Sequence, residues 1–153
     1  MLLLQVFGIG IVAGMRTMMP LVMLSWAARL GVLHLENTSL AFLGAAWAPW
    51  VCSAAGIAEL VADKLPFTPS RKTPPQFGAR IVTGTFGGIV LGLAGGSLPL
   101  GICGGVAGAV VGTLFWAWAR GKMAEIYGKD MPAALTEDVA AVVLGLVTSG
   151  LLY

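Results

Sequence analysis

The sequence predicts an all-α, polytopic transmembrane helix bundle of about five spans. Three observations predict it. The 153 residues are 58% hydrophobic and only 10% charged, against about 25% charged in ordinary soluble domains. The apolar residues gather into five long segments with polar connections between them. Glycine, 22 residues in all, recurs every fourth position in two of those segments, a spacing used where membrane helices pack closely. The length suits one integral membrane domain over residues 1–153.

The first segment, about Leu2 to Leu30, is longer than the roughly 20 residues that a span needs. Gly8, Gly10, Gly14 and Pro20 interrupt it, so it is either one long tilted helix or two half-helices. Arg16 is the only formal side-chain charge between Met1 and Ala28. On a helix starting at Met1 it lies about 22 Å in, at 1.5 Å per residue, inside a hydrocarbon layer roughly 30 Å thick. A guanidinium there costs at least a few kcal/mol without a partner or water. Pro20 lacks an N–H, and its ring clashes with the carbonyl four residues back, that of Arg16. The helix is therefore expected to break or kink near Arg16–Pro20, which places a freed carbonyl, a guanidinium and the Thr17 hydroxyl together. The segment lacks the basic start and the cleavage site of a signal peptide and reads as retained membrane sequence.

The second segment runs from about Leu40 to Ala62. Glu59 and Asp63 lie four apart at its inner end and share a face. Glu59 is about a turn inside the apolar stretch, where an unpaired carboxylate is costly. It is expected to pair with Arg16 or Arg80, or to titrate, and for Arg16 it is the first candidate partner, Asp138 the second. The stretch Pro66 to Gly78, with four prolines, reads as an ordered or semi-rigid loop. Its Arg71 and Lys72 serve as topology determinants or meet anionic headgroups.

The third segment, Ala79 to Gly96, carries Gly84, Gly88, Gly92 and Gly96. The fourth, Gly101 to Ala119, carries Gly104, Gly108 and Gly112. Each set shares one helix face, and the two faces are expected to meet as a tight antiparallel hairpin across the turn Ser97 to Leu100. The same smooth faces offer a surface to a second copy of the chain. The fifth segment, Ala134 to Tyr153, opens with Glu137 and Asp138, which suit a helix N-terminus, with Thr136 as its cap.

Basic residues sort by side. With the N-terminus in the cytoplasm, Lys64, Arg71, Lys72 and Arg80 fall at one inner loop and Arg120, Lys122 and Lys129 at the other, leaving Arg29 outside. This positive-inside bias predicts N-in, C-out and five crossings. The net charge of +2 is too small to point to nucleic acid. Cys52 and Cys103 sit in apolar runs with no metal-ligand spacing, and read as small buried hydrophobes. His34 is alone in the outer loop. The tripeptide Asn37-Thr-Ser39 matches a glycosylation sequon that matters only in a eukaryotic secretory setting. No nucleophile–base pair is readable, and no metal or other cofactor is expected.

The stretches Ala13 to Pro20, Trp26 to Gly31, Glu59 to Pro66, Pro69 to Arg71, Ala79 to Ile81 and Glu137-Asp138 together resemble a family of small, mainly bacterial membrane proteins catalogued as domain of unknown function 4126. The Glu-x-x-x-Asp-Lys-x-Pro stretch and the Gly-x-Arg break are its more specific parts. The resemblance implies a bacterial inner membrane and brings no activity. From the residues, a small transporter or channel ranks first, with Arg16, Thr17, Glu59, Asp63, Arg80, Glu137 and Asp138 along a solute or ion path. A non-transporting structural or assembly protein with internally paired charges is the alternative. An enzyme acting on lipid ranks last.

Overall fold

The computed structural model describes residues 1–65 and 73–152. The Arg71 and Lys72 expectation and most of the proline-rich loop lie outside them. Among the described residues there are six α-helices, one short 3-10 turn and no strand. The helices are α1 (Leu2–Met15), α2 (Met19–Arg29), α3 (Ala48–Ala62), α4 (Pro74–Ala94), α5 (Leu98–Tyr127) and α6 (Asp130–Thr148), with the 3-10 turn at Ala41–Gly44.

Three helices, α4, α5 and α6, are long and apolar enough to cross a membrane. This corrects the expectation of five spans. The first segment is two helices of 14 and 11 residues, roughly 21 and 16 Å long at 1.5 Å per residue. The second segment begins eight residues later than expected, at Ala48 with Pro49 in its first turn. A proline suits that position, where its missing N–H has no intrahelical partner.

The first segment folds back on itself. Gly8 of α1 lies against Thr148 at the end of α6, and Gly95 lies against Leu2. Along α2 the chain returns to that same end: Met23 lies against Gly145, and Val32 just beyond α2 lies against Gly150. Leu2, Gln5, Val32, His34 and Gly95 line one pocket there. The expectation that the chain's two ends lie on opposite faces is corrected accordingly. Residues 2–8 and 145–152 share one end of the bundle, here end A. The turn from α5 to α6 and the start of α4 lie at the other, end B.

The core of the bundle is α5 flanked by α1 and α4. The glycines of α5 serve two faces. Gly101 and Gly105 meet Gly84, Gly88 and Gly92 of α4, whereas Gly104, Gly108 and Gly112 meet Val6, Phe7, Gly10 and Ile11 of α1. The expected pairing of Gly104, Gly108 and Gly112 with α4 is therefore corrected. In a helix, residues three apart are offset by about 60°, so two interleaved ladders can face two neighbours. Gly96 belongs to neither ladder: it sits in the α4–α5 turn at φ 78°, with nothing within 4 Å.

Residues 30–47 form a cap over end A rather than part of a span. Leu35 and Leu43, 2% and 3% exposed, plug into a cluster with Val6, Ile9, Leu24, Val90 and Leu91. At end B, α5 continues past Ala119 to Tyr127 and stops at Gly128 in the left-handed conformation at φ 66°, a common helix ending. α6 starts at Asp130, so Glu137 and Asp138 lie two turns inside it and do not open it. Thr136 bonds the Pro132 carbonyl at 2.9 Å and caps nothing. Outward-facing Val82, Leu114, Phe115, Trp118, Val139 and Val143 are exposed. Such an apolar surface is consistent with a membrane protein.

Candidate functional site

The site is the tip of the α1–α2 hairpin. α1 stops at Met15, and Arg16 is extended (φ −139°, ψ 120°) while its N–H still bonds Val12 at 2.8 Å. α2 starts at Met19 with Pro20 in its first turn. The proline therefore begins a helix rather than kinking one. A helix end inside a bundle leaves backbone groups that need partners, and here each partner comes from a different helix.

At the end of α1, the Gly14 carbonyl accepts a 2.7 Å hydrogen bond from Arg80 Nη1 of α4. A cation at a helix C-terminus also matches the negative end of the helix dipole. At the start of α2, the Thr17 and Met18 N–H groups donate to the two oxygens of Glu59, at 2.6 and 2.7 Å. An anion there matches the positive end. The expectation that Glu59 pairs with Arg16 or Arg80 is thus corrected: its carboxylate caps α2. The half-buried Thr17 joins through its main chain.

The Arg16 side chain, 1% exposed, bonds two carboxylates. Nη1 donates to Asp63, just past the end of α3, and Nη2 donates to Asp138 of α6. Lys64 Nζ lies 3.0 Å from the second Asp138 oxygen and 3.2 Å from the Leu60 carbonyl. Arg16 Nε has no hydrogen-bond partner among the described residues. Exposure rises along this chain of charges, from 1% at Arg16 to 14–15% at Asp138 and Asp63 and 30% at Lys64. The network therefore opens outward past Lys64.

Glu137, fully buried, faces Arg120 Nη1 at 3.6 Å. Arg120 also forks onto Asp130 at 2.9 and 2.5 Å, tying the ends of α5 and α6 together. So the structure gathers Arg16, Thr17, Glu59, Asp63 and Asp138 at the tip, joins Arg80 to them through Gly14, and places Glu137 beside Arg120. The sequence reading missed Lys64 and Arg120 as members. Their positions at segment ends made them look like anchors, and nothing local marks Asp138 or Asp130 as their partners.

Chemically, the tip is two N–H donors and the Arg16 guanidinium held by carboxylates, with a second guanidinium, Arg80, on the Gly14 carbonyl. Among the described residues no group of three His, Cys, Asp or Glu side chains is arranged to hold a metal ion. Cys52 and Cys103 are free thiols. Cys103 is exposed, which corrects its reading as a buried residue, and Cys52 is half-buried. His34 is exposed at end A.

No curated protein and no solved structure matches the chain. One family profile does, over residues 3–151. The hairpin tip, the α3 end and the α6 acids all fall within that stretch, and the chain belongs to the family described as Domain of unknown function (DUF4126).

Proposed function

We propose that this chain is a single integral membrane domain over residues 1–153, acting as a small transporter or channel with a polar path from end B to Arg16. The observation that carries the reading is the hairpin tip. Two helix ends meet at two buried arginines, Arg16 and Arg80, among apolar helices. Broken helices at membrane depth are tolerated where they are buried in protein or line a cavity, and in transporters they form the solute site. The rise in exposure from Arg16 to Lys64 supports entry from end B. No catalytic role is assigned to the cluster, because its carboxylates have N–H donors and no nucleophile beside them.

Orientation follows from charge. Lys64, Arg120, Lys122 and Lys129 gather toward end B, while Arg29 lies toward end A. The positive-inside rule then puts end B in the cytoplasm of a bacterial inner membrane, the setting that the family resemblance implies. Because the first segment folds back, both ends of the chain then face outward. This replaces the cytoplasmic N-terminus expected from a crossing first segment.

A specific observation favours the second reading, a non-transporting structural or assembly protein. Each carboxylate of the tip is already satisfied within the chain. The glycine faces offered to a second copy are spent on α1, α4 and α5. The test is flux in liposomes holding purified protein, read with reporters of protons, potassium and chloride. Flux above empty liposomes that Arg16→Met abolishes supports transport. No flux for any of the three, with Arg16→Met changing stability alone, selects the structural reading.

A further inference from the structure

The bundle has two kinds of interface. α1, α4 and α5 touch backbone to backbone. A Cβ on Gly92 would lie 2.8 Å from the Ser97 carbonyl oxygen, and one on Gly10 would lie 2.9 Å from Gly108 Cα. Such surfaces have no slack, and sliding one past another would bring backbone into collision.

α3 is held differently. Its main packing partners are α2 and the 3-10 turn, and it shows Trp50, Val51, Ile57 and Val61 outward. Near end A it is pinned by Trp26. That ring meets Trp50 edge-on at 5.3 Å, and its Nε1 donates to Ser53 at 3.1 Å. At mid-length, Gly56 meets the Val22 side chain alone. At the far end the links run through charged side chains: Glu59 accepts from the Thr17 and Met18 amides, Asp63 pairs with Arg16, and Lys64 pairs with Asp138.

We propose that α3 is a pivoting arm, hinged at Trp26–Trp50 and latched at Glu59–Lys64, whose release uncovers Arg16 and the Thr17 and Met18 amides. The two-aspartate arrangement makes release affordable. Asp63 and Lys64 leave with the arm, while Asp138 stays on α6. Arg16 then keeps a carboxylate, and Asp138, freed of Lys64, offers it both oxygens, the stronger forked geometry. No buried charge is left alone, which is the expensive outcome. The other charges near the latch, Arg80 on α4, Glu137 on α6 and Arg120 on α5, stay with the bundle. Side-chain interfaces such as α2–α3 permit the small sliding motions of hinge and shear transitions.

The inference stands whether or not solute crosses, and its test reads opening alone. The full chain in lipid nanodiscs is followed by amide hydrogen exchange at neutral pH. In the wild type, α3 and residues 16–19 should exchange together and ahead of α4 and α5. Glu59→Gln and Asp63→Asn should each speed both regions by roughly tenfold or more, the scale of a lost charged hydrogen bond, and leave α4 and α5 unchanged. Acceleration at residues 16–19 without α3 would make Glu59 a simple cap and overturn the arm. Acceleration of all helices together would also overturn it. Where a variant does not fold, the wild type decides: an α3 as protected as α4 and α5 rules the arm out.

Discussion

Arg16 is held by carboxylates from two helices, which makes it sensitive to loss of either and more sensitive to its own loss. Arg16→Met would remove the guanidinium that Asp63 and Asp138 share and leave Lys64 and Arg120 to offset them, and should destabilise the protein by about 3 kcal/mol. Adding Asp138→Asn should cost less than the two single losses summed, because the second change removes a charge that the first left unpaired. The cycle of Arg16→Met with Glu59→Gln should show weaker coupling, since Glu59 bonds amides and not the guanidinium. Chemical denaturation of the purified protein measures all three. Additive effects in the Arg16–Asp138 cycle would exclude that direct pair. Asp138, the second candidate partner of Arg16, does bond it, whereas Glu59, the first, bonds amides, and Asp63 was not a candidate. The acids differ by side-chain length and approach angle, and only the crossing of α3 and α6 sets those.

Among the elements, α5 carries the densest information. Its two glycine ladders make it the axis on which α1 and α4 lie, so small substitutions there should be large in effect. Gly108→Ala places a methyl group against the Phe7 carbonyl and should cost about 2 kcal/mol by overpacking. Gly121→Ala, where nothing lies within 4 Å, should be neutral or stabilise by up to about 1 kcal/mol, since alanine favours helix over glycine. Thermal melting followed by tryptophan fluorescence compares them. Equal effects at both positions would mean that α1 does not pack on α5. Glycine periodicity identified the ladder at 104, 108 and 112, but the one at 101 and 105 escaped it. Two glycines make a short run, and the longer 104-108-112 run drew the pairing to itself.

For the whole molecule, the decisive feature is that the first apolar stretch turns back. Charge alone, read with a crossing first segment, expects ends on opposite sides. The folded chain brings residues 2–8 beside residues 145–152. Reporter fusions before Met1 and after Leu152 should therefore report the same side of the membrane, and a cysteine at Lys122 should label from the other. Opposite readings at the two ends would restore a crossing first segment and remove the hairpin. A basic bias survives this change, because Lys64, Arg120, Lys122 and Lys129 lie beyond the hairpin and gather toward end B.

What the sequence determined by itself was set by composition and local period. Apolar runs of span length specify helices, because an unbonded backbone is too costly in lipid. Prolines at 49, 74–75 and 99 fall in the first turns of α3, α4 and α5, and Pro20, expected to break or kink a helix, falls in that of α2. Buried charge in an apolar run announces a polar centre at Arg16. The tertiary structure alone decided direction and partnership. Whether a broken segment continues or reverses depends on what satisfies its two free ends. Those groups, Arg80 for the Gly14 carbonyl and Glu59 for the Thr17 and Met18 amides, lie more than 40 residues away in the chain. No local pattern encodes a contact at that separation. It exists only once α3 and α4 pack against the hairpin and bring a cation to one helix end and an anion to the other.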